Sequence, residues 1–230
     1  MGRKHEQHHQ RFARLRAFDA DCDADAFAQG LLAGVDEAGV GPLAGPVVAA
    51  AVVLPEDFDL PELFDSKQLS ASDRQHCEAV IREKALCFAI SRIAPPTIDS
   101  INILNAMLRS HQRALQRLSR TPHVVLVDGH RAPRLPVAWK DTRLQTVVRG
   151  DATSMSIAAA SILAKSDRDR LMLRLDRRYP GYGFGDHKGY GTAEHKDAIR
   201  RLGLSPAHRR SFNGWIEKEA LEGEASGNLL

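Results

Sequence analysis

Apolar runs alternate with amphipathic stretches along the chain, and this pattern predicts a mixed α/β fold. Residues 46–54 (PVVAAAVVL) are uniformly apolar and rich in valine, which is typical of a strand buried on both faces. Similar apolar runs predict four further strands, over residues 31–36, 86–93, 124–127 and 144–148. Because the strands are interleaved with helical patterns, we expect a mixed five-stranded sheet flanked by helices.

Helices are predicted where apolar residues recur at three- and four-residue steps behind a Ser, Thr or Asp start signal. These stretches cover residues 71–84, a long helix from Thr97 or Asp99 to about Leu118, and a helical C-terminal part over 154–178 and 192–202. Residues 1–30 are polar, and we expect a flexible extension that is a frayed helix or disordered. Residues 31–213 then form a single domain, and 214–230 form a C-terminal tail.

Charge and composition narrow the class of protein. The net charge is only +3, but residues 161–211 hold twelve Lys and Arg against six Asp and Glu. This excess suits a polyanionic partner, although a solvated helical face would have a similar composition. The three cysteines show no C-x-x-C spacing, so a disulfide scaffold and a zinc site are not expected. The polar N-terminus and the lack of a spanning apolar run predict a cytoplasmic protein with no membrane partner, and we expect a monomer.

Acidic residues stand at the ends of three predicted strands: Asp36 with Glu37, then Asp128, then Asp151. One such acid is usually a turn or capping residue. If the first, fourth and fifth strands are neighbours, however, all four carboxylates meet at one sheet edge and repel one another unless a cation compensates. Mg²⁺ or Mn²⁺ suits such oxygen ligands, and two ions roughly 3.5 to 4 Å apart can support in-line phosphodiester cleavage.

Motifs in consecutive order over residues 31–213 resemble bacterial ribonuclease HII. They are GVDEAG with GPLAGPVVAAAVVL, then DSK, VDG, GD, SIAAASILAK, RD, YPGY and HKGYGT. The resemblance implies a ribonuclease H-like fold and endonucleolytic cleavage of the RNA strand in RNA/DNA hybrids. It also implies cleavage at a ribonucleotide embedded in duplex DNA, leaving a 3′-hydroxyl and a 5′-phosphate.

The same resemblance assigns residues to roles. Asp36, Glu37, Asp128 and Asp151 match the family's four metal-binding catalytic positions, which agrees with the strand-end acids. Tyr190 matches a tyrosine that stacks on the sugar of the nucleotide after the ribonucleotide, and the Gly39-Val40-Gly41 loop is expected to read the 2′-hydroxyl through its backbone. Phosphate contacts or framework ion pairs are expected of four cations: Lys67, Lys165, Arg168 and Lys188.

Val40 is the position that departs from the family pattern, because ribonuclease HII typically has Gly-Arg-Gly where this chain has Gly39-Val40-Gly41. A valine keeps the backbone contacts and loses a charged contact to phosphate. A non-arginine resembles the sister family, ribonuclease HIII, which cleaves poorly at single ribonucleotides. Against ribonuclease HIII, the chain lacks that family's large N-terminal domain and has Asp151 where it has glutamate.

Two other classes of function compete with this assignment. One is a catalytically silent nucleic-acid-binding module on the same fold, but a phosphate binder would gain by losing the four carboxylates. The other is a metal-dependent nuclease or phosphatase on a different fold, which needs its own ligand pattern, such as clustered histidines. No such ordered cluster is evident in the sequence.

Overall fold

The structure is a computed structural model that describes residues 2–63 and 69–216. Its sheet consists of β1 (Leu32–Ala38), β2 (Val47–Val53), β3 (Cys87–Ile93), β4 (Val124–Asp128) and β5 (Arg143–Val147). The strand order is β3-β2-β1-β4-β5. The first three strands pair antiparallel, whereas β4 is parallel to both β1 and β5. The mixed five-stranded sheet expected from the sequence is therefore confirmed, and β1, β4 and β5 are neighbours.

Helices cover both faces of this sheet. They are α1 (Gly2–Cys22), α2 (Ala24–Ala28), α3 (Ala71–Lys84), α4 (Pro95–Ile101), α5 (Ile103–Gln116), α6 (Met155–Arg178), α7 (Phe184–His187) and α8 (Ala193–Leu202). Short 3₁₀ turns lie at Val137–Trp139, Gly150–Ala152 and Arg210–Phe212. In the part of the chain that the structure describes, none of these helices combines the length and apolarity needed to cross a membrane.

The centre of the molecule is the layer of β1 and β2 between α6 and α5. Every residue of β2 is fully buried, as its uniform valine and alanine pattern predicts. Helix α6 approaches β1 so closely that a Cβ on Gly34 would lie 2.1 Å from the backbone carbon of Ser156. This contact requires glycine and fixes α6 across the strand that ends in the first two predicted site acids.

The long helix expected from Thr97 or Asp99 is wrong in two respects. Helix α4 starts earlier, with Pro95 in its first turn, and the helical path breaks at Asn102. Asn102 has a φ of 63°, and its side chain accepts a hydrogen bond from the Asn105 N–H at 3.0 Å. The apolar spacing continues through the break, so periodicity alone does not reveal that Asn102 begins a new helix as its N-cap.

The N-terminal extension differs from the flexible segment expected from its composition. Helix α1 buries Phe12 and Leu15 against the body of the protein, and Asp19 is fully buried. The Asp19 carboxylate lies 2.5 Å from the Ser154 hydroxyl and accepts the Ser156 N–H at 2.8 Å. These contacts satisfy donors at the start of α6, so α1 is joined to the helix that crosses the sheet. The predicted C-terminal tail lies outside the described residues from position 217 onward.

Candidate active site

The four acids singled out in the sequence are carried by the carboxyl ends of β1, β4 and β5. Asp36 and Glu37 are near the end of β1, Asp128 ends β4, and Asp151 lies in the 3₁₀ turn after β5. Val35 is in register with Val127, and Asp128 with Val147. Because the three strands are parallel, their acidic ends share one edge of the sheet. The sequence analysis expected the acids to meet if the first, fourth and fifth strands were neighbours, and they are neighbours.

A cavity of about 560 Å³ opens at this edge. Asp36, Glu37 and Asp128 line it, whereas Asp151 is almost buried beside it. The remaining wall comes from the loop at 39–41, from α3 and α6, and from the segment after α7. The lining residues there are Ala38, Gly39, Val40, Gly41, Leu69, Arg74, Ser161, Lys165, Arg168 and Tyr190.

Like charges accumulate among the carboxylates. Burial raises the pKa of Asp36 well above its ordinary value, and the charges of Glu37 and Asp128 raise that pKa further. Burial also raises the pKa of Asp128, together with the charges of Asp151 and Glu37, even though the carboxylate accepts the Gly150 N–H at 2.6 Å. The four acids therefore act on one another electrostatically, and an added cation would stabilise their ionised forms.

Hydrogen bonds fix the orientation of the acids. One oxygen of Asp36 accepts the backbone N–H of Glu37 at 2.6 Å, and the carboxylate also bonds to the Ser161 side chain from α6. An oxygen of Glu37 lies 2.8 Å from Nε2 of His111, which is buried on α5. Ser161 and His111 were missed by the sequence analysis, because a serine or a histidine on a helix gives no local sign of its distant partner.

The donor set fits a hard divalent cation that completes its shell with water and phosphate. Across residues 2–63 and 69–216, no three acidic, histidine or cysteine side chains are arranged to hold an ion by themselves. Three carboxylates instead face an open cavity. Mg²⁺ commonly binds in this way, through one or two carboxylates together with substrate phosphates and retained waters.

Two buried arginines support the Gly39-Val40-Gly41 loop: Arg209 through hydrogen bonds and Arg168 through packing. Arg209 donates to the carbonyls of Gly39 at 2.5 Å and Val40 at 2.8 Å, and to that of Gly45 at 3.0 Å. Gly39 has a φ of 91°, and a Cβ there would lie 2.0 Å from Nε of Arg168. The loop therefore needs glycine at this point, both for its backbone conformation and for the guanidinium packed against it.

The Val40 side chain is half-buried and packs against an apolar cluster that includes Val47, Ile93 and Ile98. The Val40 carbonyl remains bound to Arg209. The side chain of Val40 therefore packs into the interior of the protein, and its backbone carbonyl is held by Arg209. The sequence analysis missed Arg209, because nothing in the local sequence distinguishes it from the other lysines and arginines of the basic segment, residues 161–211.

Arg168 occupies the cavity wall with its side chain almost wholly buried. It donates to the carbonyls of Lys188 at 2.9 Å and of Ala44 and Pro46 at 3.2 Å each. Of the two roles that the sequence left open for Arg168, these contacts match the framework role, although its partners are carbonyls and not a carboxylate.

The predicted lysines have different environments. Lys165 lines the cavity and pairs with Asp169 at 2.7 Å, and Arg74 from α3 lies 3.5 Å from the same carboxylate. The Lys188 ammonium donates to the carbonyl of Gly185, and its backbone has a φ of 53°. Lys67 lies outside the described residues.

Tyr190 is 49% exposed and faces the cavity next to the glycine loop. A Cβ placed on Gly41 would lie 3.9 Å from a ring carbon of Tyr190. The sequence-predicted loop and tyrosine are thus brought together on the wall beside the acids. The loop and Tyr190 are far apart in the sequence, so spacing does not indicate that they lie close together. The resemblance to ribonuclease HII does indicate it, because it assigns both to substrate recognition.

Three neighbouring histidines, of which His187 and His195 are stacked, support the backbone of the Tyr190 segment. The rings of His187 and His195 lie 4.2 Å apart, and Nε2 of His195 lies 3.1 Å from Nε2 of His208. His195 donates from Nδ1 to the Tyr190 carbonyl at 2.8 Å, while the Gly189 N–H donates to Nδ1 of His187 at 3.1 Å. Burial lowers the pKa of His195 and of His208 to about 4, which agrees with neutral rings linked as donor and acceptor.

The basic segment has less free charge than its composition suggests. Arg168 and Arg209 are buried, and Arg170 forms an ion pair with Glu78 at 2.5 Å. Arg200 pairs with Asp197 on α8. Burial thus removes Arg168 and Arg209 from the surface, and Glu78, which lies outside residues 161–211, neutralises Arg170. The cations available to a polyanion are therefore fewer than the sequence count.

The sheet order and the acid-lined edge define a class of protein: divalent-metal-dependent nucleases of the ribonuclease H-like fold. A family model described as Ribonuclease HII matches residues 33–214, and the chain belongs to the ribonuclease HII family. It is therefore a ribonuclease H, an endoribonuclease of a family that acts on RNA/DNA hybrids and depends on divalent metal ions.

Curated relatives support this membership over most of the chain. A ribonuclease HII of Ruminiclostridium cellulolyticum is 46% identical over 91% of this chain and 79% of its own length. One of Syntrophotalea carbinolica is 52% identical over 80% of this chain and 85% of its own length. These identities favour ribonuclease HII over ribonuclease HIII, the sister family that Val40 resembles.

Solved structures agree with the fold. The ribonuclease H2 of Pyrococcus horikoshii has a TM-score of 0.64 and 25% identity, covering 78% of this chain and 92% of that one. A Bst ribonuclease HIII in complex with Mn²⁺ has a TM-score of 0.64 at 20% identity, covering 85% of this chain and 72% of that one. The second similarity concerns the fold alone.

Proposed function

We propose that Asp36, Glu37, Asp128 and Asp151 hold two divalent cations, Mg²⁺ or Mn²⁺, with which the enzyme cleaves the RNA strand of hybrids. We include in this activity cleavage at ribonucleotides embedded in duplex DNA. The observation that carries the proposal is that four acids meet at one sheet edge, where burial and the charges of neighbouring carboxylates raise the pKa of Asp36 and of Asp128. Such an arrangement costs folding free energy unless a cation binds there.

The protein's own groups orient the acids before the substrate arrives. The Gly150 N–H holds Asp128, and the Glu37 N–H together with Ser161 holds Asp36. These bonds restrict the carboxylates to one orientation, so less conformational entropy is lost when cation and substrate bind. Two divalent cations held by these acids would supply activation of the attacking water and stabilisation of the leaving 3′-oxygen.

We assign substrate recognition to the wall beside the acids. Gly41, where an added Cβ would meet only a ring carbon of Tyr190 at 3.9 Å, allows a sugar to approach the loop backbone closely. The exposed ring of Tyr190 offers a stacking surface for the next sugar. We assign Lys165 to the neighbouring phosphates, since it lines the same cavity. All of these groups come from one chain, so we propose that a monomer is sufficient for activity.

Three duplexes of the same sequence test the proposal: a uniform RNA/DNA hybrid, a DNA duplex with one ribonucleotide, and an all-DNA duplex. Each is incubated in Mg²⁺, in Mn²⁺ and in EDTA, and the products are mapped. We expect cleavage of the first two duplexes only, with 3′-hydroxyl ends and a loss of cleavage in EDTA. Tight binding without cleavage in either metal would contradict the proposal and favour the silent binding module.

A further inference from the structure

His111 is buried beside the acidic edge and has no role in the function proposed so far. It lies on α5, is fully buried, and brings Nε2 within 2.8 Å of a carboxylate oxygen of Glu37. Within the described residues, Nδ1 of the same ring is buried and has no hydrogen-bond partner. A buried imidazole whose one hydrogen bond goes to an acid of the site requires a physical explanation.

The contact with Glu37 is the one hydrogen bond that the described residues give to the His111 ring. A carboxylate oxygen accepts, so the donor in this contact is the Nε2–H of His111. The ring therefore holds the Glu37 carboxylate through a single directed bond.

We infer that His111 is a positioning residue that fixes the Glu37 carboxylate for cation binding, an inference that rests on the proposed role of the four acids. The bond to Nε2–H holds one carboxylate oxygen and thereby orients the other. Groups that orient a metal-binding carboxylate in this way typically contribute 10- to 100-fold to metal affinity.

The place of His111 in the fold suits this role. Its ring is buried on α5 against the sheet, so it is held in one position. The Nε2–H is therefore directed at one fixed point of the site, where it meets the Glu37 carboxylate.

The test compares His111→Leu, which removes the donor, with His111→Gln, which retains a side-chain N–H. Ser110→Ala is the matched control, because Ser110 is equally buried on the same helix and bonds instead to the Ser91 carbonyl at 3.2 Å. Mn²⁺ binding is measured by calorimetry in the absence of substrate. Cleavage of the uniform hybrid is measured over a Mn²⁺ titration, and thermal unfolding is recorded for each variant.

We expect His111→Leu to weaken Mn²⁺ binding about tenfold and to raise the half-saturating Mn²⁺ concentration by the same factor, with kcat at saturating Mn²⁺ close to wild type. His111→Gln should recover most of the affinity, and Ser110→Ala should leave it unchanged. Wild-type Mn²⁺ affinity in a folded His111→Leu variant would overturn the inference. An equal loss in Ser110→Ala would also overturn it, since general loosening of α5 would then explain both.

Failure of this inference can be distinguished from failure of the proposed function. Retained cleavage in Asp128→Asn would contradict the assignment of the acids. If Asp128→Asn abolishes cleavage while His111→Leu binds Mn²⁺ like wild type, only the role of His111 is rejected. If His111→Leu does not fold, His111→Met takes its place, because methionine also removes the donor and its adaptable apolar side chain fills irregular gaps in a core. Weakened Mn²⁺ binding in His111→Met that neither His111→Gln nor Ser110→Ala shares supports orientation through this bond, and wild-type binding in His111→Met rejects it.

Discussion

Two charged regions meet at the cavity, and they are built in opposite ways. On one side, burial and the charges of neighbouring acids raise the pKa values of Asp36 and Asp128. On the other side, Arg168 in the cavity wall and Arg209 behind the glycine loop are buried and donate to backbone carbonyls. The acids thus lie among like charges, whereas the arginines have hydrogen-bond partners within the fold.

This difference separates function from stability. The acidic edge is electrostatically unfavourable until a cation arrives from solution, so its charge serves binding. The arginines hold the glycine loop and the segment that carries Tyr190, so their loss should affect folding first. Substitutions on the acidic side should therefore reduce cleavage without loss of stability, whereas substitutions on the arginine side should reduce stability first.

The largest effect is expected from Asp128→Asn on the acidic side. Cleavage should fall at least about a thousandfold, equivalent to about 4 kcal/mol of transition-state stabilisation, while the melting temperature stays equal to or above that of wild type. Cleavage assays of the uniform hybrid and thermal unfolding provide the two measurements. Asp141→Asn, an exposed acid away from the cavity, is the control and should change neither. A marked fall in melting temperature would remove the contrast.

On the arginine side, Arg209→Gln should lower the free energy of unfolding by about 2 to 4 kcal/mol, because it leaves carbonyls of the loop without their donors. Urea denaturation measures this change. The neighbouring Arg210 is exposed, so Arg210→Gln is a matched control that should stay within about 0.5 kcal/mol of wild type. If Arg209→Gln were as stable as Arg210→Gln, the structural role of the buried arginine would be refuted.

The pH dependence of stability should show a further contrast. His195 and His208 have pKa values lowered to about 4, so between pH 6.5 and 4 the unfolded chain binds protons that the folded chain does not. Their contribution to the free energy of unfolding therefore falls on acidification, by up to about 1.4 kcal/mol per pH unit for each proton. Asp36 and Asp128 act in the opposite direction, because their raised pKa values let the folded state take up protons first.

Replacing both acids by asparagine should therefore make the acid-side loss of stability steeper than in wild type. Urea denaturation in EDTA at pH 7, 6 and 5 measures the two slopes. Equal slopes in wild type and the double variant would show that the raised acid pKa values do not offset the histidines.

The smallest effect is expected where an arginine is added and not removed. Val40→Arg would place a cation on the glycine loop, and a charge-assisted contact to phosphate should raise kcat/KM on a single-ribonucleotide duplex about tenfold, more than on a uniform hybrid. Val40→Gln, which has a similar length and no charge, is the control. An equal rise in both variants would mean that leaving the apolar cluster, and not the charge, alters the loop.

The parts of this protein that could be predicted from sequence are those with a local signal. The buried strand at 47–53 follows from its unbroken apolar run, and the acids follow from their positions at strand ends. The break at Asn102 was missed because the apolar spacing continues across it. The contacts of Arg209 with Gly39 and of His111 with Glu37 were missed because they join residues 170 and 74 positions apart. Such pairs are set by tertiary packing, for which a single sequence gives no periodicity.

The sheet order also has a consequence for synthesis on the ribosome. The strand that leaves the ribosome first, β1, can pair on one edge with β2, which in turn pairs with β3, whereas the other edge of β1 waits for β4. Likewise Asp19 emerges long before Ser154 and Ser156, so the early helix has no partner for its carboxylate until most of the chain has been made. Because N-terminal segments fold first during translation, the half of the sheet that carries Asp128 and Asp151 is completed last. A nascent chain therefore exposes β1 as an open edge until β4 has been made, and it gains the capacity to cut nucleic acid only after Asp151 and Tyr190 have followed.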